Sequence, residues 1–163
     1  MKNGRVRWSV LDTPIGALSV GVDDAGVCGV RFGPVEAVAP VPDPGLAAAI
    51  AELRAYFAGE LTVFTVPWHV RRGSEFDRAV WAALATIPYG ETRTYGEIAA
   101  ALGDPGAARA VGAACNRNPI PVIVPCHRVV GAGGRLVGFG GGLPRKRHLL
   151  ELEARVAFQR AWA

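Results

Sequence analysis

Apolar and polar residues alternate with a period of two in three successive stretches near the N-terminus, residues 6–11, 17–22 and 27–32. A two-residue period lines up every second side chain on one face of an extended strand, so each stretch predicts a half-buried strand. Turn sequences separate them, Thr13-Pro14-Ile15-Gly16 and Asp23-Asp24-Ala25-Gly26, which together predict an antiparallel meander. Residues 34–44 carry four prolines and no period, and read as a loop. Apolar residues then return at helical spacing over residues 46–57 and stop at Gly59. Residues 61–70 read as a further strand, closed by Arg71-Arg72-Gly73.

Beyond residue 73 the period changes to that of helices. Ser74-Glu75-Phe76-Asp77 offers a capped start, and Phe76, Val80, Trp81, Leu84 and Ile87 form one apolar stripe that ends at Pro88-Tyr89-Gly90. Thr94-Tyr95-Gly96-Glu97 is a capping box that opens a helix over 95–102. Gly103-Asp104-Pro105-Gly106 turns the chain into a second short helix over 107–115. Two short helices about a glycine-containing turn make a candidate helix-turn-helix, a pattern shared with helical hairpins that never meet DNA. A last helix follows Pro144, and its opening Arg145-Lys146-Arg147 reads as a solvated face. The expected architecture is α/β: a small N-terminal antiparallel sheet-plus-helix domain, residues 1–72, packed on a mostly helical domain, residues 73–163. No Gly/Ser-rich linker separates them.

Composition narrows the class. Half of the 163 residues are apolar and a fifth are charged, as in ordinary globular chains. No apolar run reaches the length of a membrane span, and the N-terminus has no signal-peptide core, which predicts a cytoplasmic protein that makes no membrane contact. The net charge of +4 is unevenly spread: residues 1–70 carry −2 and residues 71–163 carry +6. Such a concentration attracts phosphate, although many charge clusters are only solvated. Cys28, Cys115 and Cys126 are odd in number and predict reduced thiols. Cys28 and His69 stand isolated in sequence and no Cys-x-x-Cys occurs, so no metal is expected.

The candidate chemistry lies in Pro125-Cys126-His127-Arg128-Val129-Val130, where a thiol stands beside an imidazole and a guanidinium. Neighbouring positive charge favours the thiolate, the nucleophilic form, which makes Cys126 the first candidate for catalysis. Cysteine is also among the most often buried residues, so six residues alone leave inert core packing open. The helix over 107–115 is built almost wholly of alanine and glycine, with Arg109 its one long polar residue. It cannot carry a set of base-reading side chains into the major groove, but a smooth surface suits the minor groove with one side chain inserted in the stack. Close helix packing is the competing explanation.

The longer string from Asn118 to Val130, preceded by Ala108-Arg109-Ala110-Val111-Gly112 and followed by Gly138-Phe139-Gly140-Gly141-Gly142-Leu143, resembles the O6-alkylguanine-DNA alkyltransferases. The resemblance is close over residues 76–153 and weak before them. It implies irreversible transfer of an alkyl group from O6 of guanine in double-stranded DNA to Cys126, after the base has been flipped from the duplex, with O4-alkylthymine as a second substrate. The protein would be its own acceptor, so no cofactor is implied, and it would act as a monomer. Some relatives hold a structural zinc in the N-terminal domain, and this chain lacks that ligand set.

By the same resemblance, His127 accepts the thiol proton through water and a glutamate of the last helix orients it. Glu153 matches that position, with Glu151 the nearby competitor. Asn118 would brace the cysteine loop. Arg109 would fill the space of the flipped nucleotide, and Tyr95 would help to rotate and contact it. Ala107, Ala108, Ala110, Ala113 and Ala114 would face DNA, while the backbone carbonyls of Val129 and Cys126 would take the guanine amino group. Phe139 and Gly140 would lie in the loop over the base, where some members have tyrosine and serine; the aromatic face is kept and two hydroxyls are lost. Arg128 would support the fold or contact phosphate. Three other functions remain: a non-catalytic lesion binder, which the cysteine argues against; a helix-turn-helix regulator, which the alanine-rich helix argues against; and a thiol hydrolase, for which residues adjacent in sequence are poorly placed.

Overall fold

A computed structural model describes residues 3–35, 38 and 43–163, in two compact units, Met1–Arg71 and Arg72–Ala163. Part of the expected 34–44 loop falls outside the described residues.

In the first unit, β1 (Arg7–Thr13), β2 (Gly16–Asp23) and β3 (Gly26–Phe32) pair as the antiparallel meander that their alternation predicts. The register sets Trp8 opposite Gly21 and Gly21 opposite Gly29. The indole lies across both glycines; a Cβ on Gly29 would come within 2.7 Å of it, so only glycine fits. Helix α1 (Pro44–Phe57) starts at Asp43, whose side chain accepts the free amide hydrogens of Gly45 and Leu46. Its Leu46, Ala49, Leu53 and Tyr56 share the buried core with Leu18, Val20, Val22 and Val30 of the sheet.

The strand expected over 61–70 does not form. Only an isolated bridge between Val27 and Trp68 ties this segment to β3. Pro67 has no amide hydrogen to give a ladder, and Glu52 accepts the amide hydrogens of Thr65 and Val66 in place of a strand partner. Val63, within the segment, is 68% exposed.

The second unit opens with α2 (Glu75–Leu84), capped by Ser74 as its sequence predicts. Helix α3 (Tyr95–Ala101) begins at the complete capping box of Thr94 and Glu97. Helix α4 (Ala108–Asn116) follows the glycine-containing turn, and α2 is stitched to it by the Trp81 indole, which donates to the Ala114 carbonyl at 2.9 Å. A short parallel pair that the sequence does not signal, β4 (Arg93–Thr94) with β5 (Val129–Val130), fastens the end of the cysteine segment beside the start of α3. Helix α5 (Leu143–Ala161) completes the unit and buries Lys146, Leu149, Leu152, Glu153 and Val156. Among the described residues, no helix is long and apolar enough to cross a membrane.

Candidate active site

The segment between α4 and β5 is bent twice before it reaches the cysteine. Val122 is buried with φ of 74°, the one residue other than glycine in the left-handed region among those described. A β-branched residue adopts that conformation only when its surroundings over-determine it. Here the Asn118 side chain does so from both sides: its Oδ1 accepts the Ile120 amide hydrogen at 2.9 Å and its Nδ2 donates to the Val124 carbonyl at 2.8 Å. Asn118 thus braces the loop, as its match predicts. Cys126–Arg128 then form a single 3-10 turn, buried throughout.

The cysteine is 5% exposed. Burial pushes its thiol up to about 11, with a hydrogen bond from Asn118 and the charge of Lys146 pulling the other way. Proximity to His127 and Arg128 in sequence therefore does not make a resting thiolate. Ionising it takes a group that can accept the proton. His127 is fully buried, with Nε2 2.7 Å from Oε2 of Glu153. Its Nδ1 is buried and has no hydrogen-bond partner among the described residues. Glu151 is exposed on the other side of α5, which decides between the two carboxylates. Burial works to raise the Glu153 carboxyl, but hydrogen bonds and charge from His127 and Arg128 hold it down to about 2, so it is ionised.

The buried cations have defined partners, and one sequence assignment changes. Arg128 has its guanidinium forked onto Glu153 at 2.7 and 3.0 Å and donates to the Ile87 carbonyl at 2.6 Å, contacts within the fold. Lys146, read from sequence as part of a solvated face, has no exposure at all. Its ammonium donates to the carbonyls of Val129, Val137 and Gly138 at 2.6, 3.1 and 3.1 Å and lies 3.4 Å from the Tyr95 hydroxyl. A signal for both Lys146 and Glu153 was present: with Leu149 and Val156 they follow the core-facing spacing of α5. Charge at such positions marks a buried polar network.

Lys146 and Tyr95 hold a cavity beside α4. It encloses about 340 Å³ and is lined by Tyr95, Ala108, Arg109, Gly112, Asn116, Val137 and Gly138. The Tyr95 hydroxyl donates to the Val137 carbonyl at 2.9 Å, pinning the loop that closes one side. Gly138 turns that loop with φ of 61°. Phe139 is half-buried in it and Gly140 is exposed. The Val129 carbonyl is already bonded to Lys146, and that of Cys126 to the Val129 amide; each retains a second lone pair for a ligand.

On α4, Arg109, Ala110 and Ala113 are exposed and Ala107 and Ala108 partly so, a smooth face with one long cation. Ala114 is not on it. It is fully buried one turn from Val111, with its carbonyl held by Trp81, and cannot face DNA.

In the N-terminal unit, sequence isolation misled. Asp23, Cys28 and His69 bring possible ligand atoms within 4.8 Å of one another. The Asp23 carboxylate is, however, already engaged by His69 at 2.7 and 2.8 Å and by Arg71 at 3.0 Å. With a guanidinium in the cluster, the residues form a complete ion-pair network rather than an open cation site.

Residues 75–155 match the family model described as 6-O-methylguanine DNA methyltransferase, DNA binding domain, and residues 6–69 match the ribonuclease-like domain of the same family. The chain is 51% identical over 154 residues to the methylated-DNA–protein-cysteine methyltransferase of Mycobacterium tuberculosis, covering 91% of this chain and 92% of that one. It is 48% identical over 152 residues to the protein of that name from Methanosarcina acetivorans, covering 90% and 97%. The crystal structure of the M. tuberculosis protein in complex with DNA superposes with a TM-score of 0.83 at 51% identity, covering 92% of this chain and 94% of that one.

Proposed function

The chain belongs to the 6-O-methylguanine DNA methyltransferase family, and on that premise we propose that it repairs alkylated double-stranded DNA with Cys126 as the acceptor of the alkyl group. The observation that carries the assignment is the buried line of Cys126, His127 and Glu153. Residues 73–163 would hold the whole of the chemistry, in the cytoplasm where the duplex lies.

The reading gives each group a step. An alkylated guanine turned out of the stack enters the cavity beside α4. The Cys126 proton passes through a water to Nδ1 of His127, whose other nitrogen is anchored on Glu153. The sulfur attacks the alkyl carbon, a C–S bond forms as the C–O bond breaks, and the electron pair leaves on the guanine oxygen. The Tyr95 hydroxyl, which lines the cavity, stands to receive that charge, with the buried Lys146 ammonium 3.4 Å behind it. The thioether has no route back, so each molecule acts once. Phe139 offers its ring to the base, and with Gly140 in place of a hydroxyl the backbone supplies the remaining donors. O4-alkylthymine, smaller and with the same alkoxy chemistry, is the second substrate.

Incubating the protein with an O6-methylguanine duplex should add one methyl to its intact mass, once per molecule. Peptide mapping should find the methyl on Cys126. A methyl on Cys28 or Cys115, or continued turnover, would overturn the assignment.

Arg109 is the flipping residue in this reading, since it is the cation on the exposed face of α4 and also lines the cavity. Extruding a base costs a few kcal/mol, and about 1.4 kcal/mol is tenfold in equilibrium. Arg109→Ala should therefore slow repair of the duplex lesion by about tenfold. Reaction with free O6-benzylguanine, which needs no extrusion, should stay near the wild-type rate. Equal losses on both substrates would assign Arg109 to the fold instead.

A further inference from the structure

Glu153 has more partners than orienting an imidazole requires. Oε2 meets both Nε2 of His127 at 2.7 Å and Nη2 of Arg128 at 3.0 Å; Oε1 meets Nε of Arg128 at 2.7 Å and the Gly90 amide at 3.4 Å. The guanidinium thus spans both oxygens and leaves the imidazole one shared oxygen. Its remaining nitrogen is tied to the Ile87 carbonyl, and it lies 5.6 Å from the centre of the Tyr89 ring, so the fork is fixed from three sides.

A buried carboxylate with histidine as its sole partner draws a proton onto the imidazole, because in a low dielectric the ion pair is favoured over a bare anion. A guanidinium on the same carboxylate offsets part of that field. We infer that Arg128 is a positioning residue for the transfer: by claiming both oxygens of Glu153 it keeps His127 neutral, protonated on Nε2, with Nδ1 left to accept the thiol proton. The inference rests on the roles given above to Cys126 and His127.

The groups around the imidazole pull in both directions. From α5, Glu153 favours the imidazolium and Lys146 opposes it; Cys126 and Arg128 belong to its own turn, and Arg128 opposes it too. Tyr89, before β4, faces the Glu153–Arg128 pair, and the charges of Arg160 and Arg155 reach Tyr89. Tyr95 of α3 and Cys115 of α4 face Cys126 and Lys146 and are un-ionised at neutral pH, each pushed up to about 12 by burial. Burial comes first among the influences on His127 and lowers it below its ordinary value; the pull of Glu153 toward the imidazolium comes next, and Arg128 and Lys146 add to burial against it.

The test is the pH profile of single-turnover transfer together with a ¹⁵N NMR titration of the histidines. In the wild type, His127 should be neutral and Nε2-protonated at pH 7. In Arg128→Met the acid limb of the rate should move up by about one pH unit, so transfer at low pH falls about tenfold further than on the plateau. Arg128→Lys keeps a charge without the fork and should move it less. Plateau height reports orientation, and limb position reports the proton balance. Breaking a buried pair unfolds many domains, and for that case the wild-type titration and the lysine variant decide. An imidazolium in the wild type at pH 7, or folded variants with an unmoved limb, would overturn the role of Arg128. A wild type that transfers nothing at any pH overturns the assignment of Cys126 instead, and the titration still decides for Arg128.

Discussion

Cys126→Ser is expected to abolish alkyl transfer while leaving affinity for duplex DNA within about twofold of the wild type, because a hydroxyl is a far weaker nucleophile than a thiolate and no other contact is altered. The thiol is the group pushed up to about 11 by burial, and in the proposed mechanism His127 takes its proton. An alcohol starts several pH units higher, so far less of its nucleophilic form is available to attack an alkyl carbon. The exposed face of α4, with Arg109, Ala110 and Ala113, is unchanged by the substitution, so binding persists. Intact mass after incubation with an O6-methylguanine duplex measures the first quantity and a titration of labelled duplex the second. Residual transfer in the serine protein would place the acceptor elsewhere; loss of binding together with transfer would indicate a misfolded protein.

Lys146→Met should produce the next largest effect, on stability and on rate together. The ammonium serves the carbonyls of Val129, Val137 and Gly138, and a thioether serves none of them. Each buried acceptor left without a donor costs about 1–3 kcal/mol, offset in part by no longer burying a cation, for a net loss of about 3 kcal/mol. The loop from Val137 to Gly138 also loses the tie that closes the cavity over Tyr95. Near neutral pH the thiolate loses its nearest positive charge, and transfer should fall by about tenfold or more. Arginine should not rescue either property, since a planar fork cannot replace a compact charge among three converging carbonyls. Thermal melts and single-turnover rates decide; a variant that melts and transfers like the wild type would return Lys146 to a passive place in the core.

The two substitutions act at different distances from the chemistry. In the proposed transfer Cys126 bears the new bond. Lys146 would act by shaping the cavity and by its charge, and it lies on the same face of α5 as Glu153. One helix would therefore supply both the carboxylate that anchors the base and the cation that attends the nucleophile. This explains why a charged helix that reads as solvated is buried along one side.

Much of the architecture is local in origin and was legible in the chain. Alternation and turn residues specify the β1–β3 meander, and caps at Ser74 and Thr94 specify where two helices begin, because each depends on residues within a few positions of one another. The alanine-rich run was likewise readable as a smooth helix with Arg109 alone, and the segment around Cys126 as the place of chemistry. What the chain could not state is which long-range pairs meet. Glu153 and Glu151 are equal by spacing to His127, and only the roll of α5 turns one inward to 2.7 Å and the other to solvent. That same roll buried Lys146, while the packing of α2 on α4 buried Ala114. The fold also drew Asp23, Cys28 and His69 together from far apart in sequence, and denied residues 61–70 a strand partner. Periodicity reports which side chains share a face; burial and proton position depend on what that face meets, and this is decided only when distant segments pack and water is excluded between them.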